Sequence, residues 1–303
     1  MKNLLLLCVV PLLSPAAVAA VSSSDFPAGT VWYLHADLER MRASDTGREM
    51  YDWLNGEVFI DINEEIGIDL NREVDRITAF SHDAMGTVIV VEGPVSEQTR
   101  DKLLALVALE SKYDVRDFDG KTYYFASDEE VRAGKDSPLR DLDESAFFSF
   151  AVPNKLLVAS SEGEMHELLR NKGRIAGSES HNGALFVLTA DKEFVQAGMR
   201  TENFIDDDDD WDSNILRNTE EVAVLVADRG GLMAVEARLK SRDARMAQSI
   251  GSIANGLISL QLFNSELDPE LRNLIQSTKV EVLDSVLTIS TAFKPAALVK
   301  FLD

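Results

Sequence analysis

Four histidines are the residues in this chain best suited to acid–base or metal chemistry: His35, His82, His166 and His181. His166-Glu167-Leu168-Leu169 begins as the zinc-protease helix motif does. Position 170 is Arg, so the second ligand on that helical face is missing and a solvated helix residue is left. His35-Ala36-Asp37 offers a base and a carboxylate, yet residues two apart in an extended segment point the same way without facing each other. The parallel Thr189-Ala190-Asp191 has no histidine, which favours helix capping by both aspartates. Ser81-His82-Asp83 are sequence neighbours, whereas triads are assembled in space, so this tripeptide reads as turn chemistry. No G-x-S-x-G elbow, S-x-x-K, P-loop or G-x-G-x-x-G occurs.

The densest group of oxygen ligands is the run Asp206 to Asp210, followed by Trp211 and Asp212. Carboxylates packed so closely suit a hard cation, and Asp206, Asp208, Asp210 and Asp212 are the expected ligands of a weak calcium site. The EF-hand template fails, because its sixth position falls on Trp211 and its twelfth on Arg217. Mutual repulsion makes a solvated loop the competing expectation. A carboxylate pair for hydrolysis leaves no local signature, so a hydrolase reading has no residues to name among so many acids.

Acids outnumber bases by 52 to 30, for a net charge of −22. Such a field is repelled by nucleic acid and by anionic lipid. The 45% apolar content is that of a folded chain and not of a disordered one.

The N-terminus reads as an address. Lys2 precedes the apolar run Leu4 to Leu13, and Ala17-Val18-Ala19 is an A-x-A cleavage pattern. Residues 1–19 are therefore expected to be a secretory signal peptide. The apolar run is about half of what a bilayer requires. Leu5-Leu6-Leu7-Cys8 lacks the small residues of a lipoprotein site. Cleavage removes the single cysteine, Cys8, leaving no disulfide, thiolate or Cys-ligated metal. The expected location is the periplasm of a Gram-negative bacterium or the medium beyond it.

Stepping along the chain, Val31 to Leu34 reads as a strand, with Asp37 capping a helix over 38–43. A helical stretch is expected over 47–66 with Met50, Trp53 and Leu54 on one face, Gly67 as its stop, and Asp69 capping a short turn. Strands over 77–80 and 87–91 precede a helix over 97–110 capped by Ser96. Hairpins follow at 113–126, around Asp119-Gly120, and at 147–160, across Pro153-Asn154, then a helix over 162–171. The order then starts again. A strand at 184–188 leads into Thr189-Ala190-Asp191, a hairpin spans 222–237, and a helix covers 242–262. A hairpin at 280–290 echoes 113–126, and Pro295 opens a last helix. The expected fold is α+β: two tandem, structurally similar units of mainly antiparallel sheet with helices on one face, spanning 20–180 and 181–303.

Small-Ala-Asp-Leu after the first strand, the Gly67-Ile68-Asp69 break and the Asp119-Gly120-Lys121-Thr122-Tyr123 turn, behind a signal peptide, resemble uncharacterised secreted bacterial proteins of the domain-of-unknown-function kind. The likeness spans most of 30–170 and implies no activity.

The 242–262 helix places Met246, Ile250, Ile253, Leu257 and Leu260 at 4-3-4-3 spacing among Gly251, Ala254 and Gly256. Burial against a sheet is one expectation, and a homodimer or partner seam is the other. Together these features point to a non-catalytic soluble periplasmic or secreted protein that binds a protein partner or envelope component. The alternative is a small-ligand or calcium binder using the inter-unit cleft or the acidic 206–212 loop.

Overall fold

Runs of alternating β-branched and aromatic residues, separated by Gly, Asn and Asp turns, fold here into one sheet. The computed structural model describes residues 26–27, 29–60, 69–82, 86–110, 112–127, 145–175, 183–195, 215, 217–263 and 267–295. The first unit supplies β1 (Thr30–Asp37), β2 (Arg76–His82), β3 (Gly86–Glu92), β4 (Lys112–Phe118), β5 (Lys121–Ser127), β6 (Ser145–Ser149) and β7 (Lys155–Ala159). The second supplies β8 (Ala184–Asp191), β9 (Thr219–Asp228), β10 (Met233–Ser241), β11 (Lys279–Leu283) and β12 (Val286–Phe293). The order across the sheet is β11-β12-β10-β9-β8-β1-β2-β3-β7-β6-β5-β4, and adjacent strands run antiparallel. The class is α+β with an antiparallel sheet, as the sequence leads one to expect, but helices lie on both faces of that sheet and not on one.

The units join through β1 and β8. Leu34 lies opposite Leu188, and Trp32, Tyr33, His35 and Ala36 oppose Ala190, Thr189, Val187 and Phe186. Outward from this joint the first unit runs β1-β2-β3-β7-β6 and the second β8-β9-β10-β12-β11. The 280–290 hairpin therefore occupies the place of β6–β7, not that of the 113–126 hairpin it was expected to echo. The reason is topological: a hairpin of short strands looks alike wherever it docks, and only the edge of β10 or β3 decides its place.

Caps set the helix starts. Asp37 accepts the Arg40 amide at 2.8 Å and starts α1 (Leu38–Ala43), and Asp191 accepts the Phe194 amide at 3.0 Å at the same point of the second unit. Ser44 caps α2 (Asp45–Leu54) through the Gly47 amide, and a π-helical turn, Asn55–Phe59, follows. Asp69 caps α3 (Leu70–Glu73), Ser96 caps α4 (Glu97–Glu110) and Ser161 caps α5 (Glu162–Arg170). Asp243 caps α6 (Ala244–Phe263), and Asp268 with Pro269 opens α7 (Pro269–Ser277). The expected stop at Gly67, the 127–144 loop from residue 128 onward and the expected helix after Pro295 lie outside the described residues. No described helix is long and apolar enough to cross a membrane.

Directly opposed residues share a face of the sheet, so pairing assigns the core. On the front, Tyr33, Phe80, Val90 and Leu157 meet Met165, Leu168 and Leu169 of α5, together with Val187 and Leu225 from the second unit. On the back, Leu38, Met41 and Tyr51 of α1 and α2 meet Leu185, Val226 and Met233. Both cores take residues from both units, so neither half buries its apolar surface alone.

A cross-strand ladder edges the front core. Arg76, Glu92 and Lys155 stand side by side on β2, β3 and β7, with Arg76 Nε 2.9 Å from Glu92 Oε2 and Lys155 on the other oxygen. Burial alone would raise the Glu92 carboxyl, but the Lys155 and Arg76 contacts more than reverse this and hold it below its usual range. Its stabilisation is present at neutral pH and is lost as pH falls through that lowered value. Glu92→Gln is expected to cost about 1 kcal/mol at pH 7 and to flatten the acid limb of a stability–pH curve below about pH 5. Urea unfolding at several pH values checks this; a variant with an unchanged acid limb would refute it.

Candidate functional site

The histidines and their neighbouring acids are placed apart. His35 is buried on β1, with Nδ1 2.9 Å from Thr78 Oγ1 across the β1–β2 pair. Asp37 is occupied in capping and pairs with Arg40 at 3.6 Å, so it orients no imidazole. Ser81 and His82 are consecutive on a strand and point to opposite faces; His82 stands edge-on to Phe80. Asp83 and His181 lie outside the described residues, as do Asp206, Asp208, Asp210 and Asp212. Among the described residues no group of three or more His, Cys, Asp or Glu is placed to hold a metal ion.

His166 belongs to the densest polar cluster. Arg116 on β4 and Tyr123 on β5 both donate to Glu162 Oε1, at 2.6 and 2.7 Å. Tyr123 Oη lies 3.1 Å from His166 Nε2, and the imidazole stacks on Phe118 with centroids 4.0 Å apart. The hydrogen bonds from Tyr123 and then Arg116 lower the Glu162 carboxyl, while burial, then the Glu162 bond, raises the Tyr123 phenol. Those directions drive both groups away from neutrality: the carboxyl stays ionised and the phenol stays protonated. These contacts tie α5 to the β4–β5 hairpin.

The second notable site is a cavity of about 410 Å³ on the back of the second unit. Its floor is Val235 of β10 with Thr291 and Phe293 of β12, where Val235 and Thr291 are direct cross-strand partners. Its roof is α7, through Leu271, Leu274 and Ile275, with Gln261 of α6 at one side. The i, i+3, i+4 spacing of the three α7 residues puts them on one helical face. Arg272 donates to the Leu262 carbonyl at 3.0 Å and ties α7 to the end of α6. Ser277 Oγ, 2.9 Å from Thr291 Oγ1, ties its other end to β12. The roof is thus fastened at both ends and does not fall onto the floor.

The lining is apolar apart from Gln261 and Thr291, and no charged side chain contributes to it. Its volume falls in the range of small-molecule sites. Such a space binds by removing apolar surface from water and offers no group to move a proton. It lies inside the second unit, away from the boundary at which β1 pairs with β8. Sequence reasoning missed α7 altogether. The signal was present in Asp268-Pro269, a cap followed by proline at the first helical position, ahead of Leu271, Leu274 and Ile275.

No described protein family matches the sequence, and no curated protein does. Among solved structures, the chain is similar to three crystal forms of TP0453. Form III is 10% identical, with a TM-score of 0.42, over 94% of this chain and 99% of that one. Form IV is 13% identical at 0.43, over 92% and 95%. Form I is 12% identical at 0.41, over 94% and 97%. The likeness concerns the course of the chain and carries no activity.

Proposed function

We propose that this is a non-catalytic binding protein, exported by residues 1–19, that holds a small apolar ligand between α7 and the β10–β12 floor. The observation that carries the reading is the cavity itself: about 410 Å³, walled by Val235, Leu271, Leu274, Ile275 and Phe293. The space is half open to solvent, and an apolar guest seated in it removes both its own surface and the lining from water. The absence of charge from the lining selects a neutral guest, or one whose charged end stays in solvent.

The test is titration with a neutral naphthylamine dye that brightens in apolar surroundings. Binding with a Kd on the order of micromolar is expected. Leu274→Trp, which fills the cavity, should abolish the brightening while the far-UV spectrum stays that of the parent. A parent protein that leaves the dye dark, or a filled variant that binds it as well, would remove the proposal.

A further inference from the structure

The long helix α6 has an apolar flank that the fold does not use. The stripe facing the sheet runs through Ala247, Ile250, Gly251 and Ala254, and Gly251 lies so close that an added Cβ would sit 2.6 Å from Val282 Cγ2. The expected 4-3-4-3 stripe is different: Ile253 is 36% exposed, Leu257 52% and Leu260 67%, and Phe263 beyond it is 85% exposed. Burial against the sheet, the first expectation for that stripe, holds at Ile250 only. Beside Ile250 the small residues Ala247 and Gly251 face the strands, and at Gly251 the sheet comes too close for bulk.

Two properties of this flank identify its occupant. First, the exposed Ile253, Leu257 and Leu260 keep the 4-3 spacing by which two helices hold one seam in register. Second, no Asp, Glu, Lys or Arg occurs from Met246 to Phe263, in a chain of net charge −22. Two copies of so acidic a protein repel over most of their surface, and this helix is where they meet without opposing like charges. The ends of the helix carry opposite signs. At its start the exposed Arg242 and Arg245 outnumber the capping Asp243, and Asp268 and Glu270 are exposed just beyond its end.

We infer that α6 is a twofold interface between two copies of this chain, packed antiparallel with the axis beside Asn255. That axis sets Ile253 of each copy against Leu257 of the other, while Ile250 stays under the sheet. It also brings the basic end of each helix to the acidic end of the other, whereas a parallel pair would oppose like charges. An interface that is the same patch on both copies is the commonest way two chains associate. A single pair of 20-residue helices buries area at the low end of stable interfaces, so the dimer dissociates at micromolar concentration.

Sedimentation velocity of the purified protein, from about 1 to 200 µM, reads this directly. The expected result is a concentration-dependent rise from monomer to dimer mass. Ile253→Asp with Leu257→Glu should give a folded monomer throughout, because Leu257 is half exposed and Ile253 lies at the edge of the buried face of the helix. Arg245→Glu should weaken the dimer about tenfold, and adding Glu270→Lys should restore it, as an antiparallel pair requires. A parent that stays monomeric overturns the inference. So does a dimer indifferent to the seam variants, or a double variant that unfolds and thereby places the stripe in the core.

Discussion

Gly93→Ala will lower the melting temperature by roughly 10 °C, corresponding to about 3 kcal/mol for a chain of this size. Gly93 is buried where β3 leaves the sheet and passes under α3. A Cβ there would fall on the Glu73 carbonyl oxygen and 2.8 Å from Val74 Cα, both backbone atoms that no rotamer change can move. The residue also holds φ at +155°, and its amide donates to the Asn154 carbonyl at 2.9 Å, so the loop cannot shift without breaking the β3–β7 end. Steric overlap and backbone strain therefore add. Thermal unfolding by circular dichroism measures the effect. Gly163→Ala is the control, since a Cβ in that helix meets nothing within 4 Å and should be neutral or stabilising. Equal melting temperatures for the two variants would show that the close approach is not rigid.

Leu157→Ala will cost about 3 kcal/mol, within the range of buried leucine truncations. Leu157 is fully buried on β7, opposite Val90 on one side and Ser149 on the other. It belongs to the front core that includes Met165, Leu168 and Leu169 of α5, and its Cδ2 abuts Gly173 beyond that helix. Because sheet, helix and loop are each anchored by their own hydrogen bonds, the space cannot collapse and a cavity remains. Leu157→Met keeps the volume and should cost less than about 1.5 kcal/mol. Urea midpoints separate the two outcomes, and an alanine variant as stable as the methionine one would place Leu157 in a pliable region.

Local chemistry was legible and long-range placement was not. Asp37, Ser96 and Ser161 announced their helices because a cap is a property of three or four consecutive residues. The hairpins at Asp119-Gly120 and Asn154 were readable for the same reason. The site was not, because its walls come from positions 235, 271 to 275 and 291 to 293, which only the pairing of β10 with β12 brings together. On α6 the apolar residues cover more than half the circumference, so periodicity alone could not say which stripe faces the strands; Gly251 and Ala254 decide it by allowing close approach. His35 and Asp37 were readable on the same terms: Asp37 accepts the Arg40 amide as a cap, and the strand carries His35 to Thr78 instead.

The joint between Leu34 and Leu188 sets equivalent residues of the two units face to face, the geometry in which a single unit would recognise its own duplicate. Held on separate polypeptides, such units would forfeit translational and rotational freedom worth several kcal/mol at every encounter. Fused in one polypeptide they meet at an effective concentration set by the connection, and the joint persists at any dilution. Fusion also releases each half from having to match its twin. The first unit carries the extra β4–β5 hairpin and the second carries α7 with its cavity, an asymmetry that two identical subunits are unable to adopt.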